Sequence, residues 1–326
     1  MNEPNLLSKD ICQVFHFLEE LIDTPDFLAM NMSEVGEHSK LIENFQQEGP
    51  WWSCFPFACT LLEAITIGLT RDKESSFAIS ILYGILKQHQ NQIEDKIQLE
   101  KATAMYFPFI QKVCAVGPKM LITQKGKEWI LSFLFILKNT ERNLTIEWWK
   151  SEGVSRISSF LLILSHCTKE VLGNSFEVSF REECSVALLD ICNSFYHTFS
   201  ESFSKQGSPF IDTFLSIYNR LLTDPPTVFF HRTICVSFAV LVKKLADHIF
   251  NKKYNFCENF SFSILKSCTS ESDKVREDVV SILLLMIRLN TKLVGNFALL
   301  KNAASLAISK LMSSEVCTIL FFAIFS

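Results

Sequence analysis

The chain has 326 residues, of which 48% are hydrophobic and 20% are charged, a composition that supports a large buried core and excludes disorder over most of its length. Its 10 Gly and 9 Pro are too few for the many turns of sheet-rich folds, which favours helices. A formal net charge of −4 excludes the broad basic field that nucleic-acid binding requires, so we expect no nucleic-acid partner.

The N-terminal segment carries apolar residues at helical spacing. On a helix of 3.6 residues per turn these residues form one stripe: Leu7, Ile11, Val14, Phe15, Leu18, Leu21 and Ile22. Residues 1–22 are therefore predicted to form an amphipathic helix. Residues 23–50 are polar and carry Pro25 and Gly36, which predicts a flexible loop. The start of the chain lacks the pattern of a signal peptide, so secretion is not expected.

Residues 51–312 show helical spacing of apolar residues almost throughout. The predicted helices span residues 56–70, 75–89, 97–115, 125–139, 152–171, 181–204, 209–223, 227–247, 255–269, 272–290 and 295–312. Helices of this length, joined by short turns without intervening strands, predict an all-α fold, namely an armadillo/HEAT-like α-solenoid of stacked helix pairs. The sequence shows no clear repeat, but such arrays have weak self-similarity.

The predicted turns carry residues that end or begin helices. Gly117-Pro118, Gly173-Asn174 and Asp224-Pro225-Pro226 each interrupt the helical pattern, because proline and glycine disfavour helix continuation. Ser272 or Asp273 is predicted to cap the helix that follows.

Residues 313–326 form an apolar tail. The run at 316–325 is strongly hydrophobic, and exposed apolar surface promotes association, so we expect a truncated segment. The alternative is a last helix docked on its neighbour. The longest apolar runs are shorter than the ~20 residues that a spanning helix needs, so no transmembrane segment is expected.

The 11 cysteines suggest buried thiols. Cys114, Cys167, Cys192 and Cys235 lie in apolar helical runs, where cysteine behaves as a small hydrophobe. The closest pair, Cys54 and Cys59, has no histidine at zinc-finger spacing. Thiols that stay reduced predict a reducing compartment, and hence a cytoplasmic protein.

No pattern of catalytic, cofactor-binding or metal-binding residues is present. The sequence lacks a glycine-rich phosphate loop, a zinc-protease histidine pair and a nucleophile elbow. His166 and Cys167 are adjacent, so their side chains diverge by about 100° on a helix. The acidic pairs Glu19-Glu20 and Glu182-Glu183 are predicted to lie on solvated helix faces. We therefore predict no enzyme activity, no cofactor and no metal.

Three further groups have a structural and a binding interpretation. Lys243, Lys244, Lys252 and Lys253 bracket a predicted helix end, where cations favour the helix dipole, or they contact acidic lipid or a partner. Phe195, Phe199 and Phe203 are predicted to be core, with a groove for a partner helix as the alternative. Arg276 and Arg288 are predicted to link adjacent repeats rather than bind a ligand.

Several segments resemble, in order, those of one protein family. They are residues 78–89, 104–110, 128–139, 147–150, 157–167 and 254–298. For example, Tyr106-Phe107-Pro108-Phe109-Ile110 is similar to the family phrase Y-L-P-L-I. The family is the dedicator-of-cytokinesis (DOCK) proteins, exchange factors for Rho-family GTPases. The resemblance covers roughly residues 60–312 and lies in the helical region before the C-terminal exchange domain.

The resemblance implies a helical scaffold within a guanine-nucleotide exchange factor for Rho/Rac-family small GTPases. Gly295-Asn296-Phe297-Ala298 is most similar to the zizimin-type branch, whereas residues 90–93 depart from the family pattern. The lipid-binding domain of the family would lie upstream and the exchange domain downstream. The resemblance therefore implies no site residues here, a GTPase partner only through the missing downstream domain, and membrane recruitment only of the full-length protein.

Two alternatives to this family stay open. One is an unrelated helical-repeat scaffold that binds partner helices along one face. The other is a helical enzyme whose site is assembled from scattered His, Glu and Cys residues.

Overall fold

The structure is a computed structural model of the chain, and it describes residues 79, 82–84, 86–87, 90–91, 93–117, 127–173, 176–203, 209–251 and 255–313. The predicted N-terminal helix at 1–22, the predicted loop at 23–50, the predicted helix at 56–70 and the tail at 314–326 lie outside the described residues.

The described residues confirm the all-α prediction. The helices from residue 93 onward are α1 (Lys96–Ala104), α2 (Phe107–Val116), α3 (Lys127–Asn139), α4 (Arg142–Ser151), α5 (Val154–Leu172), α6 (Val178–Thr198), α7 (Ser200–Phe203), α8 (Ile211–Thr223), α9 (Val228–Lys244), α10 (Ala246–Ile249), α11 (Phe256–Ser267), α12 (Asp273–Val294) and α13 (Ala298–Ser313). Within the described ranges there is no β-strand. No helix in these ranges combines the length and the apolar character needed to cross a membrane.

The chain divides into two compact units, Met1–Ile163 and Leu164–Ser326, and the division falls within α5. In the first unit, α1 and α2 both pack on α3. An aromatic cluster fills the core around Phe160, whose ring centroid lies 5.4 Å from that of Trp149 and 5.8 Å from that of Trp148. Such pairs contribute about 0.5–1.5 kcal/mol beyond the burial of their area.

The second unit is built from two rows of helices. Helix α9 packs between α6 and α12, and we call these three helices the first row. Helix α11 packs between α8 and α13, which form the second row with it. The rows meet through contacts of α8 with α6 and α9 and of α12 with α11 and α13. The core between the rows contains Phe214 of α8, which is fully buried.

The turn residues act largely as predicted. Helix α2 ends at Gly117, whose φ of 78° lies in the left-handed region that glycine adopts without strain. Helix α5 ends before Gly173, and the residues 224–227 between α8 and α9 are not helical. Ser272 occupies the N-cap position of α12 and Asp273 begins the helix, but the Ser272 side chain makes no capping hydrogen bond.

The structure corrects three predicted helices, each of which is broken. The helix predicted at 97–115 is interrupted at Met105 and Tyr106, because Pro108 lies in the first turn of a new helix and lacks the N–H that a continuous helix would need. The helix predicted at 181–204 leaves the helical conformation at Phe199, and the one predicted at 227–247 does so at Leu245. In both cases a short helix follows.

Helix α4 was missed by the sequence reasoning. Its buried residues are Thr145, Trp148 and Trp149, so its apolar stripe is sparse and its helix propensity is modest. Tertiary packing supports it instead. The Trp148 ring lies edge-on to Phe107 with centroids 5.6 Å apart, and its Nε1 donates to Glu152 over 2.8 Å.

Candidate interaction surface

The predicted burial of the cysteines is confirmed. Cys114, Cys167, Cys192 and Cys235 are all buried. Burial raises the pKa of the Cys235 thiol to about 12, and it raises the pKa of Cys192 well above its ordinary value. Because the thiolate is the nucleophile, these protonated thiols are unreactive at neutral pH.

The histidines of the described ranges are spread over separate helices. His231 is buried, and its Nε2 lies 2.9 Å from Ser267 Oγ. Ser267 donates its own proton to the carbonyl oxygen of Ser263, so His231 is the donor to Ser267. His248 Nε2 lies 2.6 Å from the carbonyl oxygen of Phe203. Within the described residues, no three His, Cys, Asp or Glu side chains are grouped to hold a metal ion.

The predicted role of the two arginines is wrong for Arg288. This side chain is exposed and makes no hydrogen bond or ion pair with the residues that the structure describes. Arg276 instead acts locally, because it donates to the carbonyl oxygen of Ser270 over 2.5 Å and pairs with Asp273 at the start of its own helix. Among the described residues, therefore, neither arginine side chain bonds to a neighbouring helix.

The phenylalanine stripe is core, as predicted. Phe195 and Phe203 are fully buried and Phe199 is half-buried. The ring centroids of Phe195 and Phe199 are 4.7 Å apart, and the Phe203 ring lies 4.8 Å from that of Phe214. The stripe is therefore already covered by α8 and does not form a groove for a partner.

A polar cluster joins α6, α8 and α9 in the second unit. The Oδ1 atom of Asn193 accepts hydrogen bonds from the Tyr218 hydroxyl and, over 2.9 Å, from Ser237 Oγ. The Tyr218 hydroxyl lies 3.1 Å from Ser237 Oγ, and burial raises the pKa of Tyr218 far above its ordinary value. The cluster fixes the first row of helices at one point of contact with the second.

A matching link joins α8 and α11 in the second row. The Oδ1 atom of Asn219 accepts a hydrogen bond from Ser263 Oγ over 2.9 Å, and Thr223 Oγ1 also contacts Ser263. The Asn193–Ser237 and Asn219–Ser263 bonds each span 44 residues of sequence. The same Asn-to-Ser link thus recurs in both rows with one spacing.

Two open clefts lie on the first row, one on each side of α9. The cleft between α6 and α9 has a volume of about 570 Å³, and the Asn193, Tyr218 and Ser237 side chains are among the residues that line it. The cleft between α9 and α12 has a volume of about 440 Å³. Val236 lines both clefts, so it stands on the ridge that separates them.

Exposed side chains of α9 and α12 repeat in the same register. On α9, Val236, Val240 and Lys244 are spaced four residues apart and are exposed, and we call them the first stripe. Each is followed 44 residues later by an exposed residue of similar character on α12, and Val280, Leu284 and Arg288 form the second stripe. Both stripes are apolar, apolar and cationic, in that order.

Sequence reasoning missed this surface because it treated the exposed and buried apolar residues alike. The signal that could have found it is a comparison of the chain with itself shifted by 44 residues, which aligns the two stripes and the Asn–Ser partners.

No protein-family model matches the sequence, no curated protein matches it, and no solved structure matches its fold. What the chain does is therefore inferred from its own residues.

Proposed function

We propose that the chain is the helical scaffold region of a DOCK-type guanine-nucleotide exchange factor for Rho/Rac-family small GTPases. In this role it positions an exchange domain that lies downstream in the full protein, and it has no exchange activity by itself. The order of the similar segments supports this assignment. Those at 128–139, 157–167 and 275–290 lie in α3, α5 and α12, so the phrases that carry the resemblance fall in helices.

The fold proposed for this scaffold is an armadillo/HEAT-like α-solenoid of stacked helix pairs. The observation that carries it is the recurrence of the Asn–Ser link in both rows at 44 residues, since armadillo and HEAT arrays repeat at about 40 to 47 residues. Two ion pairs between neighbours in a row have a similar spacing, 46 residues for Arg232–Asp278 and 42 for Lys266–Asp224.

The proposed location is the cytoplasm, with recruitment to membrane in the full-length protein through another domain. The buried thiols Cys192 and Cys235 support a reducing compartment, because neither is in a disulfide. The small GTPase would contact the downstream exchange domain, while the scaffold presents a helical face to protein partners.

The first experiment is to sequence the native transcript across the codon for Ser326. The proposal expects the frame to continue into a domain that, when expressed, accelerates release of labelled GDP from a Rac- or Cdc42-type GTPase. A stop codon directly after Ser326 in every transcript would overturn the assignment and leave an unrelated helical-repeat scaffold.

A GDP-release assay on purified residues 1–326 tests the second half of the proposal. We expect the rate to match that of the GTPase alone, with EDTA as the positive control for release. Clear acceleration by this chain would contradict the claim that it is a scaffold without exchange activity.

A further inference from the structure

The stripes of α9 and α12 have the features of a binding surface rather than of an ordinary solvent face. Val236 is 65% exposed and Leu284 is 51% exposed, although each lines a cleft between packed helices. Contiguous exposed apolar patches mark interaction sites, whereas single scattered apolar residues on a surface are normal. The 44-residue register makes these two stripes a repeated feature.

The cationic side chains at one end of this surface have no acidic partner within the described part of the chain. Lys243 and Arg288 line the cleft between α9 and α12, and Lys244 lines the cleft between α6 and α9. None of the three forms an ion pair with a described residue. The one carboxylate in the α9–α12 cleft, Asp278, is already bound to Arg232 at 2.9 Å. A ligand carboxylate in the α9–α12 cleft would therefore meet Lys243 and Arg288 without a competing acidic partner.

We infer that the groove between α9 and α12 binds an amphipathic helix of a partner protein that carries apolar residues at i, i+4 and i+7 followed by carboxylates at one end. The groove is lined by Val236 and Ala239 of α9 and by Leu284 and Leu285 of α12, so it offers two apolar walls to the apolar face of a docked helix. The charges then set the direction of the helix, because its acidic end lies beside Lys243 and Arg288.

A helix fits this surface better than a lipid headgroup does. The apolar side chains of the stripes flank a cleft of about 440 Å³. A helix can insert side chains into this cleft, whereas the surface of a bilayer has no protruding element that would fill it. The inference adds a partner chemistry to the proposed scaffold but depends only on the packing of α9 and α12. It therefore stands or falls separately from the exchange-factor assignment.

The test begins with a display library of 16-residue helical peptides selected against the full chain of 326 residues. The expected result is enrichment of peptides with the apolar spacing given above and with Asp or Glu at one end. The consensus peptide is then labelled, and its Kd is measured by fluorescence anisotropy. Failure to enrich any sequence, or enrichment without acidic residues, would overturn the inference.

Matched variants locate the binding site. Lys243→Glu/Arg288→Glu is expected to weaken binding about tenfold or more, because both ionic contacts become repulsive. The control Lys274→Glu/Lys301→Glu makes the same charge change on exposed lysines outside the stripes. Leu284→Ser should weaken binding, while Leu306→Ser, a residue with almost the same exposure on α13, should not. Equal effects of stripe and control variants would contradict the site.

Vesicles provide the competing outcome. The chain is not expected to sediment with phosphatidylserine vesicles more than with phosphatidylcholine vesicles. Sedimentation with the anionic vesicles that is lost in Lys243→Glu/Arg288→Glu, together with no peptide binding, would assign the surface to a membrane instead. Circular dichroism of each variant verifies that the helical fold is retained.

Discussion

The two rows of helices in the second unit are linked internally in the same way, but α8 of the second row faces solvent differently from α9 and α12 of the first. Each row contains an Asn that accepts a hydrogen bond from a Ser on the next helix, 44 residues later. On the outer side, α8 exposes Asp212, Ser216 and Arg220, which are all polar. Helices α9 and α12 instead expose the apolar stripes.

This difference bears on whether the exposed apolar residues are needed for stability or for binding. Helix α8 shows that a helix of this unit can satisfy its packing and still present a polar face, so packing does not require the apolar stripes of the first row. Exposed valine and leucine residues contribute little to folding where they stay in water. The contrast thus favours the stripes of α9 and α12, rather than the exposed face of α8, as a binding surface.

The largest expected effect is on the core that both rows share. Phe214→Ala should lower the free energy of unfolding by about 3–5 kcal/mol, because Phe214 is fully buried against Phe195 and Phe203 and its removal leaves a cavity. Urea denaturation followed by circular dichroism measures this. Val240→Ala is the exposed control and should change stability by less than about 0.5 kcal/mol. Similar losses for both variants would remove the distinction between core and stripe.

The next effect tests whether the two rows are linked equally. Asn193→Ala and Asn219→Ala should each cost about 1–3 kcal/mol, because each removes the Oδ1 atom that accepts a hydrogen bond from a Ser on the next helix of its row. Double-mutant cycles with Ser237→Ala and Ser263→Ala should give coupling of similar size in the two rows. Coupling in only one row would show that the 44-residue link is not a repeated structural element.

A smaller effect concerns the pH dependence of the contact between α9 and α11. Burial lowers the pKa of His231 below its ordinary value. The unfolded state therefore takes up the proton first as the pH falls through about 6.5, so stability present above that pH is lost below it. The wild-type chain should lose more stability between pH 8 and pH 5 than His231→Asn does. The same loss in both proteins would assign the pH dependence to other groups.

The smallest expected effect is on the stripes themselves. Leu284→Ser should change the free energy of unfolding by less than about 0.5 kcal/mol, since the side chain is already half in water. Leu221→Ser, at a fully buried position of α8, is the matched change and should cost several times more. A large loss for Leu284→Ser in urea denaturation would mean that the stripe serves the fold and not a partner.

The helical class was predictable because apolar spacing and turn residues act locally. Gly117, Gly173 and residues 224–227 end helices where the sequence predicts it. Helix α4 was not predictable, since its stability comes from the packing of Trp148 and Trp149 against residues distant in sequence. Neither was the exposure of Arg288, because sequence alone does not tell which side of an amphipathic helix meets a neighbour.

The most direct test of the claim that the stripes of α9 and α12 form a binding surface is a side-chain footprint of the chain bound to the selected peptide. Hydroxyl-radical labelling read by mass spectrometry measures the protection of individual valine and leucine residues. We expect protection of Val236 and Leu284 on the first row, with Leu306 on the second row labelled as in the free chain. Protection of Leu306 with unchanged labelling of Val236 and Leu284 would contradict the account.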